Sequence, residues 1–172
     1  HGSFKPVGST DSELAFCWLL QELNKSHASV PSVEELTRTL SELVPKIARH
    51  GTFNFLLSNG QALWAHASTK LCYVQRQHPF REVQLKDEDV MVDLSELNGP
   101  EDRLVIVVTE PLTTNEAWVA MEAGELHAFV DGQPLTRAHC KATLIAAAAA
   151  AAAQREAEEA AKALALAASA AV

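Results

Sequence analysis

The stretch TDSELAFCWLL, residues 10–20, contains the clear start of the first predicted element of this 172-residue chain. Thr10 is followed three residues later by Glu13, which fits a capping box, so the sequence predicts that a helix begins here. The run from Leu14 to Leu20 is apolar on every side of that helix. We therefore expect the helix to be buried between layers rather than to lie on a surface.

A second helix is predicted after a polar loop at 24–31. Ser32 and Glu35 form another capping box. Apolar residues then recur at helical spacing, at Leu36, Leu40, Leu43, Val44 and Ile47. Pro45 is expected to kink this helix or to end its first part near Val44, and Gly51 suits the position after its end.

Beyond Gly51 the pattern changes to short strands. The pairs Asn59-Gly60 and Asp131-Gly132 are hairpin signals between strands predicted at 52–58 and 61–68, and at 125–130 and 133–135. Further strands are predicted at 72–77, 82–85 and 90–94. The continuous apolar run RLVIVVT, residues 103–109, is expected at the centre of a sheet. Two helices followed by antiparallel strands predict an α+β fold.

Composition excludes several classes of function. The formal net charge of -8 argues against nucleic acid and against an anionic membrane surface as partners. The cysteines, Cys17, Cys72 and Cys140, lack the paired spacing of a disulfide scaffold or a zinc site. The histidines lack metal-ligand spacing and there is no phosphate-binding glycine loop, so no metal and no cofactor are expected. Without a signal-peptide pattern, we expect a reducing, cytoplasmic setting.

Residues 142–172 form an alanine-rich tail, in which eighteen of thirty-one residues are alanine. Alanine is the best helix former, so one long helix is predicted, although it lacks a regular large apolar stripe and should pack weakly. The tail could be a natural extension, an engineered spacer, or a placeholder for side chains that were not identified. The expected domain boundary therefore lies between residues 141 and 142.

Four stretches together resemble one known family. They are FKPVG at 4–8, GSTDSE at 8–13, AFCWLL at 15–20 and TEPLTTNEAW at 109–118. In this order and spacing they resemble the class II glutamine amidotransferases, in particular the small stand-alone branch. The resemblance runs from about Ser3 to Leu135 and covers only the C-terminal half or so of that domain.

The resemblance implies a fold and a mechanism. The fold is that of an N-terminal-nucleophile hydrolase, with two antiparallel sheets packed between helical layers. A cysteine at the mature N-terminus, with its own α-amine as base, hydrolyses the side-chain amide of glutamine through a thioester and releases ammonia. The resemblance also implies that Asp11, with Thr10 beside it, binds the substrate, the aspartate taking its α-ammonium group. From the residues alone, the favoured interpretation is that Asp11 only helps the helix to start.

The sequence also departs from that pattern. Residue 1 is histidine rather than cysteine, and the family's arginine and Asn-Gly segments should lie upstream of Ser3. Asn59-Gly60 is placed in a later hairpin, where a type I′ turn is expected instead of an oxyanion hole. Cys17 is expected to be a small buried hydrophobe. No catalytic residue is therefore assigned in this chain.

The functional expectation follows from these departures. We expect an incomplete amidotransferase-like domain at 1–141 that lacks its N-terminal catalytic segment in this chain, and whether it acts as an enzyme stays open. The alternative is a non-catalytic module, truncated or engineered. Expected partners are glutamine if the site is completed, the missing segment, or a second copy, because open sheet edges invite pairing.

A polar and aromatic cluster follows the apolar strand. Its members are Thr113, Asn115, Glu116 and Trp118. One interpretation places it in a loop near the substrate. The other is a turn whose side chains cap neighbouring backbone groups, with Trp118 in the core.

Overall fold

The computed structural model describes residues 3–95 and 98–139 and has an α+β fold. Two helices come first, α1 (Asp11–Ser26) and α2 (Val33–Ile47), and α2 runs into a short 3-10 helix (Ala48–His50). The strands that follow are β1 (Phe55–Ser58), β2 (Leu63–His66), β3 (Leu71–Gln77), β4 (Val83–Gln84), β5 (Met91–Val92), β6 (Arg103–Val108), β7 (Val119–Met121), β8 (Glu125–Val130) and β9 (Gln133–His139). The predicted α+β class, with helices and antiparallel sheets, is confirmed. The alanine-rich tail and its boundary lie outside the described residues and stay predictions.

The start of α1 is confirmed, but the capping box is only half formed. Thr10 Oγ1 accepts a hydrogen bond from the backbone N–H of Glu13 at 3.3 Å. The Glu13 carboxylate does not return to Thr10; its two oxygens accept from the N–H groups of Val7 at 2.7 Å and Gly8 at 2.8 Å. The helix also continues to Ser26, past the predicted loop start at Asn24.

Helix α2 carries both bonds of its capping box. The N–H of Glu35 donates to Ser32 Oγ, and the N–H of Ser32 donates back to the Glu35 carboxylate. Pro45 does not end the helix, which continues to Ile47. Because Pro45 lies in the last turn, the helix gives up one backbone bond near its end rather than in its interior.

The strands form three antiparallel sheets within the described residues. Their orders are β1-β2-β8-β9, β6-β3-β7 and β4-β5. The prediction that the apolar strand at 103–109 is central is wrong here, because β6 lies at an edge and β3 is central. Tyr73 of β3 pairs with Val107 on one side and with Val119 on the other. Strand β7 was not predicted.

The two predicted hairpins differ in their turns. Asp131 and Gly132 have φ angles of 48° and 68°, as a type I′ turn requires. The Asn59-Gly60 turn is wider, since Ser58 pairs with Leu63 and Asn59 has no positive φ. The type I′ prediction is wrong there. The Asn59 side-chain oxygen instead accepts from the backbone N–H groups of Gln61 and Ala62.

The core has two parts, one on each face of the four-stranded sheet. On one face the helices pack against it, with Leu19 and Leu40 among the side chains that contact Trp64 and Leu126. On the other face, a second cluster joins it to the three-stranded sheet, through Ala65, Leu71, Tyr73, Met121 and Phe129. Among the described helices, none is long and apolar enough to cross a membrane.

The prediction that α1 is buried between layers is wrong for the described residues. Leu19 is the one buried side chain of the helix, whereas Leu14 is 59% exposed and Phe16 is 45% exposed. The helix packs against α2 and the sheet through a single face. Its other apolar side chains are half-buried, apart from the exposed Leu14 and Phe16.

Candidate functional site

Asp11 is the first residue of α1 and is exposed. Its Oδ1 accepts from the backbone N–H of Ser12 at 2.8 Å and lies 3.4 Å from the Ser12 hydroxyl, which donates to it. Within the described part of the chain, its Oδ2 makes no hydrogen bond. The N-terminal end of a helix favours negative charge. The carboxylate is thus oriented through Oδ1 by the next residue of its own helix, whereas Oδ2 has no hydrogen-bond partner among the described residues.

The loop before Asp11 is fixed by the helix it precedes. The Glu13 carboxylate binds the Val7 and Gly8 N–H groups, and Thr10 caps the helix. A Cβ added at Gly8 would lie 2.8 Å from the Glu13 carboxylate, so this position is tight. Hydrogen bonds therefore hold the backbone in place on both sides of Thr10, next to Asp11.

Asp11 lies on a groove of about 440 Å³ between α1 and the end of α2. The groove is lined by Asp11, Leu14, Ala15, Trp18, Lys46, Ile47 and His50. Its middle is apolar, and the groups able to carry charge are Asp11 from α1, Lys46 from the end of α2 and His50 from the 3-10 helix that follows. We call this the α1–α2 groove.

The cluster at 113–118 is held together by internal bonds. Arg76 donates from Nε and Nη2 to the two oxygens of Glu116, both at 2.7 Å. Thr113 Oγ1 donates to Glu116 at 2.6 Å and accepts from Trp118 Nε1 at 2.9 Å. The hydrogen bond from Arg76 is the main reason that the pKa of Glu116 is held below its usual value.

The same cluster anchors a neighbouring strand. Asn115 accepts from the N–H of Gln84 at 2.9 Å and donates to the carbonyl of Glu82 at 3.0 Å. These contacts favour the interpretation that the cluster caps backbone groups, although Trp118 is half-buried rather than in the core. Arg76 and Glu116 line a separate cleft of about 600 Å³, so the structure does not bring this cluster together with Asp11.

Neither described cysteine has the setting of a nucleophile. Cys17 is half-buried within α1, and Cys72 is buried in β3. Burial, with the nearby Glu110 charge, raises the pKa of the Cys72 thiol and so disfavours the reactive thiolate. Cys140 lies outside the described residues. Across residues 3–95 and 98–139, no three His, Cys, Asp or Glu side chains are grouped to hold a metal ion.

Sequence reasoning missed two buried polar pairs in the four-stranded sheet. His66 Nδ1 lies 3.0 Å from the carbonyl oxygen of Glu125, and its Nε2 lies 3.4 Å from Ser68 Oγ. Burial lowers the pKa of His66 to about 4. His127 Nε2 lies 3.1 Å from the Glu125 carboxylate, and both side chains are buried. The available signal in the sequence was that His66, Glu125 and His127 are polar residues within otherwise apolar strands.

Comparison with known proteins agrees with the motifs around Asp11. The model of the class II glutamine amidotransferases matches residues 1–154. A protein of Haemophilus influenzae, named "Putative glutamine amidotransferase", is 40% identical over 131 residues, which are 76% of this chain and 45% of that protein. YafJ of Escherichia coli, which bears the same description, is 38% identical over 133 residues, 77% of this chain and 52% of YafJ.

A solved structure gives the same result at the level of the fold. The crystal structure of a predicted glutamine amidotransferase from Pseudomonas aeruginosa matches with a TM-score of 0.69 at 38% identity. The match covers 79% of this chain and 54% of that one. The chain thus spans about half the length of the relatives it matches. From the family match over residues 1–154 and these relatives, we conclude that the chain belongs to the class II glutamine amidotransferases.

Proposed function

We propose that this chain supplies the glutamine-binding part of a domain that hydrolyses the side-chain amide of glutamine and releases ammonia. The observation that carries the proposal is the Asp11 carboxylate, oriented through Oδ1 and open at Oδ2. Such an oxygen can accept a charge-assisted hydrogen bond from the α-ammonium group of glutamine. Because the group sits at a helix start, its negative charge is also favoured by the helix dipole.

Thr10 is proposed as the second substrate-binding residue. Its hydroxyl oxygen accepts the N–H of Glu13, which leaves the hydroxyl proton for a ligand. A donor next to an anionic acceptor suits an amino acid, whose carboxylate and ammonium groups are adjacent. Thr10 therefore both positions Asp11 and offers a contact to the substrate carboxylate.

The nucleophile is proposed to come from the part of the domain that this chain does not span. In that arrangement, the α-amine of the N-terminal cysteine takes the thiol proton as the sulfur attacks the side-chain amide carbon of glutamine, and it then passes that proton to the departing ammonia. Water then hydrolyses the thioester to glutamate and restores the thiol. The settings of Cys17 and Cys72 support a nucleophile from elsewhere.

The N-terminal-nucleophile hydrolase architecture is part of the same proposal. Two antiparallel sheets packed face to face, with helices covering one of them, support it. The remaining half of the domain would add the second helical layer. Because the mechanism needs a free thiol, the proposal also implies a reducing, cytoplasmic setting.

The test is ammonia release from glutamine by a reconstituted domain. The chain is mixed with the complementary segment, which we define as the part of the Pseudomonas aeruginosa relative that this chain does not match, made as a separate polypeptide. With Asp11→Asn, the loss of one charge-assisted hydrogen bond should raise KM by about 10- to 100-fold. The matched control is Glu34→Gln, which removes an exposed acid from the first turn of α2. No ammonia release by the wild-type mixture, or equal KM values for both variants, would refute the proposal.

A further inference from the structure

The cleft beside the Arg76–Glu116 pair has the size and the lining of a site for a polar small molecule. Its volume is about 600 Å³, which lies within the range of small-molecule sites. One wall is the end of β3 with the segment that follows it, residues 74–83, and the other is the turn at 115–117. Most of its lining residues carry charged, imidazole or amide side chains, in contrast to the apolar α1–α2 groove.

Hydrogen bonds hold the long wall of this cleft in place at both ends. The N–H of His78 donates to the carbonyl oxygen of Asp102 at 3.2 Å. Further along the same segment, the side-chain amide of Asn115 donates to the carbonyl oxygen of Glu82 at 3.0 Å. Between these two bonds, the side chain of Phe80 is buried. The cleft is therefore formed before a ligand binds, which limits the conformational entropy lost on binding.

The guanidinium group of Arg76 has donors that its partner leaves free. A guanidinium carries five N–H donors. Nε and Nη2 each donate to Glu116 at 2.7 Å, whereas Nη1 makes no hydrogen bond to any residue that the structure describes. The Arg76 side chain is only 16% exposed, so little of it is hydrated. An anionic acceptor would satisfy these donors with charge-assisted hydrogen bonds.

The other side chains of the cleft add donors more than acceptors. Arg81 and Glu82 are both exposed, and within the described part of the chain neither forms an ion pair. His78, also exposed, adds an imidazole N–H. Because Arg76 and Glu116 neutralise each other, the remaining groups are one guanidinium and one imidazole against one carboxylate. A surplus of donors in a cleft favours an anionic ligand, even in a chain whose formal net charge is -8.

We propose that this cleft binds a small organic oxyanion, either a carboxylate or a phosphate ester, between Arg76 Nη1 and Arg81. Guanidinium groups match the geometry of both kinds of oxyanion. The apolar side chains of Val74, Phe80 and Val83 also line the cleft and suit the carbon skeleton of such a ligand. The site is separate from Asp11, so the inference does not rest on the proposed glutamine site.

The test follows binding to the full chain through the indole N–H signal of Trp118 in proton–nitrogen correlation NMR spectra. Trp118 Nε1 donates to Thr113, which donates to the Glu116 carboxylate that Arg76 holds, so this signal reports on the cleft. Trp64, buried against the helices, supplies the internal control. The probes are succinate, glycerol 3-phosphate and butane-1,4-diol, the last being the uncharged counterpart of succinate.

Three variants test the two arginines. Arg81→Gln removes a charge at an exposed position and should leave the fold intact. Arg76→Lys keeps a positive charge beside Glu116 but gives up Nη1, and circular dichroism checks that it folds. Arg38→Gln is the matched control, since Arg38 is exposed on α2 and does not line the cleft.

At least one of succinate and glycerol 3-phosphate should shift the Trp118 signal in a saturable way and leave the Trp64 signal in place. The anion that binds assigns the ligand as a carboxylate or a phosphate ester. Arg81→Gln and Arg76→Lys should each weaken this binding about 10-fold, the loss expected for a charge-assisted hydrogen bond, and Arg38→Gln should leave it within about twofold. No saturable shift with either anion, an equal response to butane-1,4-diol, or undiminished affinity in Arg81→Gln would overturn the inference.

Discussion

The carboxylate of Glu13 lies 2.8 Å from the backbone nitrogen of Gly8, five residues before it. Its other oxygen accepts a hydrogen bond from the N–H of Val7. One side chain thus holds the segment before α1 against the first turn of that helix. Asp11 lies in that turn. We infer that Glu13 is a positioning residue for Asp11 rather than a ligand of the substrate.

Replacing Glu13 tests that role. Glu13→Gln keeps one acceptor oxygen and removes the charge, so at least one of the two bonds is lost. We expect the free energy of unfolding to fall by about 1.5–3 kcal/mol in urea titrations, the range for a hydrogen bond to a charged group. Glu22→Gln, which breaks only the exposed pair with Lys25, should change it by less than about 0.5 kcal/mol. Equal effects of the two variants would contradict the fastening role.

Gly132 is expected to tolerate no side chain. It has a φ of 68°, and an added Cβ would lie 2.7 Å from backbone atoms of Arg103 and Leu104. Gly132→Ala should lower the free energy of unfolding by about 2–3 kcal/mol, because backbone strain and overlap add. Gly60→Ala is the control, since Gly60 has a φ of 85° but open space around it, and should cost about 1–2 kcal/mol. Thermal melts that rank Gly60→Ala as the more harmful change would refute this account.

Acid should destabilise the domain through His66. Its pKa is near the ordinary 6.5 when unfolded and about 4 when buried in the fold, so the unfolded state binds the proton more readily. His66 therefore leaves the free energy of unfolding unchanged above pH 6.5. As the pH falls from 6.5 toward 4, His66 lowers the free energy of unfolding by up to about 3 kcal/mol, because the unfolded chain takes up a proton that the folded chain does not. His66→Gln should flatten the pH dependence of unfolding in that window. His78→Gln, at an exposed position, should leave it unchanged, and identical slopes for wild type and His66→Gln would contradict the prediction.

The Arg76–Glu116 pair is expected to stabilise the fold without serving the glutamine site. The two side chains are 16% and 13% exposed, and Thr113 binds the same carboxylate. Arg76→Ala should cost about 2–3 kcal/mol in unfolding titrations, because it leaves a half-buried carboxylate without its cation. Lys86→Ala, from the exposed 3.5 Å pair with Glu110, should cost about 0–1 kcal/mol. Arg76→Ala should leave the KM for glutamine of the reconstituted domain unchanged. A changed KM would contradict the prediction that this cluster plays no part in the glutamine site at Asp11.

Local signals in the sequence predicted most helices and turns, because their causes are local. The caps at Thr10 and Ser32 and the Asp131-Gly132 turn depend on residues within four positions of one another. The position of β6 at a sheet edge depends on distant residues instead. An apolar strand has the same sequence pattern whether it pairs with one neighbouring strand or with two. The predicted burial of α1 failed for a related reason, because an all-round apolar pattern does not show which faces of a helix the rest of the fold covers.

The candidate site likewise has one part that a local sequence motif indicates and another that depends on how the helices pack. Asp11 could be found from a short motif, because a helix start and its acidic residue are adjacent in sequence. The α1–α2 groove could not, since Lys46 and His50 meet Leu14 and Trp18 only after the two helices pack. The bonds from Glu13 to Val7 and Gly8 also depend on the path of the chain before the helix, and the capping-box pattern pointed to a different partner.

The proposed function depends most on one proposed contact, between the Asp11 carboxylate and the α-ammonium group of glutamine. The most direct test compares the binding of glutamine with that of 4-carbamoylbutanoate, which lacks only the α-amino group, by calorimetry on the reconstituted domain. The wild-type complex should prefer glutamine by about 10-fold or more, the worth of a charge-assisted hydrogen bond, and Asp11→Asn should abolish that preference. A preference for glutamine that persists undiminished in Asp11→Asn would contradict the assignment of Asp11 as the partner of the α-ammonium group.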